Sequence, residues 1–149
     1  MDGTAVDPEE RVEHLDEHEC WRRLLANQVG RIAFMSEDRI EIVPINYVVR
    51  DRRLVMRTSP HTPLIWTRHH AVPFEVDGWD RTTAWSVIAR GDVERSDDPG
   101  ALALEREIGL APWAPDERGP RDALAVLTVH ELTGRAFHRR VDEQARWFW

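Results

Sequence analysis

Arg57-Thr58-Ser59-Pro60-His61-Thr62-Pro63-Leu64-Ile65-Trp66 stands where one kind of pattern gives way to another. Upstream, Leu54-Val55-Met56 reads as the end of a strand; downstream, Leu64 to Arg68 reads as a short helix. Thr62 followed by Pro63 fits an N-cap and first-turn pair, because the hydroxyl can accept from unpaired amides and the proline ring is already set to helical φ. A strand thus ends in a hydroxyl-rich loop that opens a helix, with Arg57 beside it. Such a junction suits a phosphate. A helix start offers unpaired N–H groups, Arg57 offers a bidentate donor, and Thr58, Ser59 and Thr62 offer hydroxyls. An ordinary strand–turn–helix junction has the same pattern, so the surrounding chain must decide.

Outward from this stretch the chain reads as strands. Arg31 to Met35 alternates and ends at the polar turn Ser36-Glu37-Asp38. Ile40 and Ile42 alternate on even positions, whereas Ile45, Tyr47 and Val49 alternate on odd ones. The parity change falls at Pro44, which predicts a bulge in one long strand. Val72, Phe74 and Val76 alternate with Glu75 and Asp77 as a half-buried strand. Gly78 to Arg81 reads as a turn, and Thr83 to Arg95 is long enough for a bent barrel strand. Leu124–His130 and Arg135–Val141 form the last strand, interrupted near Thr133-Gly134.

Two helices are signed. Asp16 with Glu19 makes a capping box, Leu15 and Cys20 sit at staple spacing, and Gly30 is placed to stop the first helix. Its Trp21, Leu24, Leu25 and Gln28 share a face. Asp97-Asp98-Pro99 opens the second, with Leu102, Leu104 and Ile108 as apolar positions and Gly109 at its end. Residues 111–121 hold three prolines and read as a loop. His14 and His18 stand four apart with no third ligand implied, and a solvated helix face is the expectation there. Residues 1–12 are acidic and polar and are expected to be mobile, leaving 13–149 as a single domain.

The composition bounds the function. No apolar run is long enough to span a bilayer and no secretory leader is visible, so a cytoplasmic protein without membrane contact is expected. One cysteine, Cys20, excludes an internal disulfide framework and a thiolate metal cluster. The net charge is −7, and all 20 basic residues are arginine; the acidic balance argues against a nucleic-acid partner. No Walker loop, nucleophile elbow or zinc pattern is present, and no catalytic side chain or metal ligand is assigned.

Several segments follow one another in a fixed order: Glu19 to Leu25, Val29 to Phe34, Pro44-Ile45-Asn46-Tyr47-Val48-Val49, Met56-Arg57-Thr58, Val72 to Asp77, Trp85-Ser86-Val87 with Arg90-Gly91, and Leu132-Thr133-Gly134-Arg135. From about Glu19 to Phe137 this order resembles the pyridoxamine 5′-phosphate oxidase-like FMN-binding split-barrel family, in its small single-domain bacterial form. The resemblance implies a mainly β fold with short helices: a six-stranded antiparallel split β-barrel of Greek-key type, forming a homodimer with FMN at the subunit interface. It implies that Asn46, Tyr47 and Val48 lie along the flavin ring. Arg57, Thr58, Ser59, His61 and Thr62 would hold the ribityl phosphate, with Trp85 and Ser86 approaching from neighbouring strands or the other subunit.

Relatives often carry Arg-Thr-x-x-Gly-x-Lys where this chain has His61-Thr62-Pro63. Losing one charged hydrogen-bond partner costs about 1.5–3 kcal/mol, so weaker FMN binding by roughly one or two decades is expected. The resemblance further implies an oxidoreductase moving a hydride to or from a small organic molecule. A deazaflavin reductase and a non-catalytic binder of flavin, haem or a lipid-like ligand are the alternatives. No second basic set for a substrate phosphate is apparent, so vitamin B6 oxidation is not expected. Arg135 is expected to meet a carboxylate at the dimer interface or to reach the cofactor, and the Trp147-Phe148-Trp149 end is expected to be buried.

Overall fold

The computed structural model describes residues 12–98, 100, 103 and 123–138. Its elements run β1 (Val12–Leu15), α1 (Glu17–Leu25), β2 (Val29–Ser36), β3 (Arg39–Arg50), β4 (Arg53–Thr58), β5 (His69–Trp79), β6 (Thr83–Ser96) and β7 (Ala123–His138). The strands lie in the order β1-β7-β4-β3-β2-β5-β6, and β6 pairs again with β7. Strands β2 to β7 therefore close into an antiparallel ring, with β1 laid beside β7. The ring is thinnest between β2 and β5, where only Arg31↔Glu75 and Ile32↔Phe74 pair. A mainly β, ring-like antiparallel sheet agrees with the split-barrel expectation. The second helix, the 111–121 loop and the aromatic end fall outside the described residues, apart from Gly100 and Ala103.

Alternation fills the ring. Ile32, Leu54, Phe74 and Val87 point inward with no solvent exposure, and the residues between them face out. Helix α1 closes one end. Asp16 caps it by accepting from the Glu19 amide at 2.8 Å, and Cys20 and Leu24 are fully buried. Gly134 on β7 is what lets the helix dock: a Cβ there would stand 2.7 Å from the Cys20 sulfur and 3.1 Å from the Leu15 side chain. The other end is crossed by residues 59–68, which carry the chain from β4 to β5 and bury Leu64 and Ile65 beneath them.

Several expectations are corrected. Helix α1 stops at Leu25, and Gly30 lies inside β2; the stop belongs to Asn27, whose side-chain amide donates to the Arg23 carbonyl at 2.7 Å. Leu25 is exposed, not on the buried face. His14 lies on β1, which was not anticipated, so it shares no helix face with His18. Pro44 makes no bulge against β2, because the β2–β3 register runs unbroken from Val29↔Asn46 to Ser36↔Arg39. Strand β4 pairs only with Tyr47–Arg50 of β3, so among the described residues Pro44 sits where β3 has a single neighbour and its missing N–H costs no ladder bond. Ile40 and Ile42 consequently face solvent. Strand β5 continues through Gly78 to Trp79, so the turn comes at Asp80, which accepts from the Thr82 and Thr83 amides. Strand β7 is unbroken at Thr133-Gly134; its irregularity lies earlier, opposite Arg90-Gly91.

Candidate functional site

The pairs Tyr47↔Met56 and Val48↔Val55 fix the β3–β4 register. One further step sets Asn46 opposite Arg57. Because side chains alternate, Asn46, Val48, Val55 and Arg57 share the outer face of the barrel, while Tyr47 and Thr58 turn inward. Tyr47 is a core residue. Its ring meets Phe74 edge-on at 5.0 Å, its hydroxyl donates to the Leu24 carbonyl at 2.6 Å, and burial pushes the phenol well above its usual range. Neither Tyr47 nor Thr58 presents its side chain to the outer face; of the three β3 candidates, Asn46 and Val48 do.

The loop after Thr58 is tightly turned. Ser59 accepts from the His61 amide at 3.2 Å through its hydroxyl, and from the Thr62 amide at 3.2 Å through its carbonyl. The expected helix is a single 3-10 turn, Pro63–Ile65, and the Thr62 hydroxyl caps nothing in it. A turn of three residues has no appreciable macrodipole. Any affinity for phosphate therefore rests on Arg57, the hydroxyls of Ser59 and Thr62, exposed His61 and the loop amides. That donor set fits a phosphate ester. The loop is braced from behind: the Trp66 indole donates to the Pro60 carbonyl at 3.3 Å, and His69 Nε2 lies 3.3 Å from the Pro63 carbonyl oxygen.

Trp85 and Ser86 lie elsewhere. Trp85 pairs with Gly78 and Ala136 on the inner parity at the α1 end, under the Arg23 guanidinium at 4.8 Å from the ring centroid. Arg23 also meets Glu19 at 3.2 Å; the hydrogen bond from Arg22 is the main cause that holds the Glu19 carboxyl down at about 2. Ser86 faces outward between Asp77 and Arg135. Next to it, Arg31 bridges Asp77 at 2.9 Å and Glu75 at 3.4 Å, and burial together with the Asp77 charge pushes the Glu75 carboxyl up. Sequence reading missed this trio, although Glu75 and Asp77 at alternate positions of one strand were its visible signal. In the ring, β3 and β6 are separated by two strands in either direction. On β7, which lies between β4 and β6, Arg57 pairs with Leu124 and Ser86 with Arg135, near opposite ends of that strand, so one chain does not bring the Asn46–Arg57 half and the Ser86 half together.

Among the described residues no trio of His, Cys, Asp or Glu is arranged to hold a metal ion, and no helix is long and apolar enough to cross a membrane. Cys20 is buried beside Gly134, and desolvation raises its thiol, the opposite of what a nucleophile needs.

Known proteins are similar to this chain in sequence or in fold. An uncharacterized protein of Mycobacterium tuberculosis is 32% identical over 110 residues, which is 68% of this chain and 72% of that one. An FAD-binding protein of Mycobacterium smegmatis superposes with a TM-score of 0.68 at 30% identity, covering 85% of this chain and 98% of its own. A Corynebacterium glutamicum protein provisionally named a pyridoxamine 5′-phosphate oxidase gives a TM-score of 0.70 at 28% identity, over 85% and 94% of the two chains. The family model described as pyridoxamine 5′-phosphate oxidase matches residues 16–136. With α1 and nearly all of β2 to β7 inside that span, the chain belongs to the pyridoxamine 5′-phosphate oxidase family of flavin-binding proteins.

Proposed function

We propose that this chain is a flavin-dependent oxidoreductase whose site is completed by a second copy of itself, with a small organic molecule as redox partner. One observation carries the reading: the two halves of the candidate site are held apart in one chain, Asn46 across the ring from Ser86 and Arg57 near the other end of β7 from it, and both are turned outward. A second copy is the simplest source of the missing half. An apolar patch supports this. Met35 and Ile40 are direct cross-strand partners, Ile42 follows on the same face, and they are 54%, 71% and 69% exposed. Such a patch on a polar surface marks an interaction face.

Bound flavin supplies reversible two-electron transfer. The chain's own residues bind and orient. Arg57 sets a fixed positive charge beside the Ser59 and Thr62 hydroxyls, matching a phosphate ester. Asn46 and Val48 on β3 give an amide and an apolar wall for a planar ring, and Ser86 and Arg135 enter from the second copy. FMN and FAD share the riboflavin 5′-phosphate that these groups fit, and the Mycobacterium smegmatis relative named for FAD favours testing both.

The test joins assembly to binding. Light scattering should give a dimer, and titration with FMN or FAD should quench flavin fluorescence to saturation. Ile42→Glu places a charge in the exposed patch without touching the core, so it should yield a folded monomer that binds flavin at least tenfold more weakly. A monomeric variant with unchanged affinity would show that one chain holds the whole site.

A further inference from the structure

Strands β5 and β7 flank β6, and both lose regular register against the same short segment of it. On the β5 side, His69 pairs with Val93 but Val72 pairs with Gly91, so His70 and Ala71 together oppose Asp92. Ala71 is left in the left-handed region at φ 52. On the β7 side, Arg90 pairs with Glu131 and Gly91 with Val129, so His130 is the extra residue. Gly91 is required here: a Cβ would stand 1.9 Å from the Thr128 carbonyl oxygen, which is backbone and cannot yield.

Asp92 ties the two bulges together. Its Oδ1 accepts from the Ala71 amide at 3.2 Å, and its Oδ2 accepts from Arg68 Nη2 at 3.2 Å. His70 Nδ1 and His130 Nε2 each stand 3.5 Å from that same Oδ2. The Ala71 amide first, and then the side chains of Arg68, His130 and His70, hold the carboxyl down at about 2. A left-handed alanine persists only where its surroundings over-determine it, and Asp92 is the group that does so. Bulges recur where a strand must re-aim a side chain beside a functional site.

What the β5 bulge re-aims is the support of the 59–68 loop. It leaves His69 turned inward, edge-on to Phe34 at 5.4 Å, with Nε2 on the Pro63 carbonyl. It leaves His70 turned outward against Asp92. Arg68, at the end of the loop, is held by the same carboxylate. Asp92 thus reaches the loop by two routes, through Arg68 directly and through the bulge that places His69.

We propose that Asp92 is a positioning residue for this loop, setting its affinity for a flavin phosphate without touching the ligand. The inference rests on the reading of residues 57–62 as the phosphate site, and the test separates the two. FMN and riboflavin, which lacks the phosphate, are titrated by fluorescence quenching into the full chain. The variants are Arg57→Ala, Asp92→Ala, Asp92→Asn and Arg68→Gln. Asp92→Ala and Arg68→Gln should each weaken FMN binding by about tenfold, the scale of one charge-assisted bond, and leave riboflavin binding unchanged. Asp92→Asn keeps an acceptor for the Ala71 amide and should fall between wild type and Asp92→Ala. If Arg57→Ala abolishes the preference for FMN while Asp92→Ala and Arg68→Gln keep it, Asp92 has no positioning role. Equal loss of FMN and riboflavin in the Asp92 variants would overturn it too, in favour of a general structural role. If wild type shows no preference for FMN, or Arg57→Ala retains one, the phosphate reading itself fails and the inference falls with it.

Discussion

At the α1 end of the barrel the closing surface is apolar and dry: Cys20 and Leu24 have no exposure, and the helix carbonyl of Leu24 is satisfied from inside by Tyr47. At the loop end, Leu64 and Ile65 plug the ring among the described residues, and the residues around them carry hydroxyls, imidazoles and guanidinium groups held by bonds of 3.2–3.3 Å. The two closures do different work. Apolar burial at about 25 cal/mol per Å² stabilises without committing polar groups to a ligand. A braced polar loop contributes less to stability but can present donors. The strained position Ala71 and the bulged His130 belong to the loop end.

The largest expected effect that tests this division is at Leu24. Leu24→Ala should lower unfolding free energy by about 2–5 kcal/mol, because the fully buried site leaves a cavity that α1 cannot easily close. Urea or thermal unfolding would read it, and flavin affinity of the folded fraction should hold. A loss below roughly 1 kcal/mol would mean the helix contributes little to closing the ring. Tyr47→Phe is a finer probe. It keeps the ring contact with Phe74 and removes only the hydroxyl, leaving the Leu24 carbonyl with its backbone partner at the end of α1, at a cost of about 0.5–1.5 kcal/mol. Because the Tyr47 side chain points away from the outer face, FMN binding should not change. A selective fall in FMN affinity with stability intact would return Tyr47 to the cofactor site.

The same contrast explains what was legible in the chain. The six strands of the ring and the first helix's cap were readable, though β1 was not, because alternation and the Asp16–Glu19 pair are local signals. The ends of elements were not. Gly30 reads as a helix stop until Phe74 is seen against it, where a Cβ would lie 2.2 Å from the ring. Pro44 reads as a bulge because sequence cannot show that β3 has one neighbour at that point. Among the site candidates, the segments of Arg57 and Asn46 are legible as strands, but the inward turn of Tyr47 and Thr58 depends on register. Asp92 was invisible for a deeper reason: its partners at 68, 70, 71 and 130 meet only because two separate strands bulge beside a third.

The smallest effect concerns acid. Glu19 at the α1 end and Asp92 at the loop end are both held at about 2, below their ordinary values of 4.5 and 3.8. A carboxyl with a depressed folded pKa contributes stability above its unfolded pKa and loses that contribution as pH falls through the folded value. Their contributions are therefore lost between about pH 4.5 and about pH 2 for Glu19, and between about pH 3.8 and about pH 2 for Asp92. Both carboxylates remain in contact with solvent, so screening keeps the effects modest. Thermal melts of Glu19→Gln and Asp92→Asn should show small deficits near pH 6 that shrink toward wild type by about pH 2. The ends should differ in how the deficit is distributed. Glu19→Gln frees Arg22 and Arg23 on a helix that docks on the core, so its deficit should appear in the global melting temperature. Asp92→Asn should barely move that temperature, yet speed hydrogen exchange at the Ala71 amide, whose bond to Asp92 loses its charge. Equal global deficits from the two variants would mean that the loop end is as integral to folding as the helix end, and the division of labour between them would be lost.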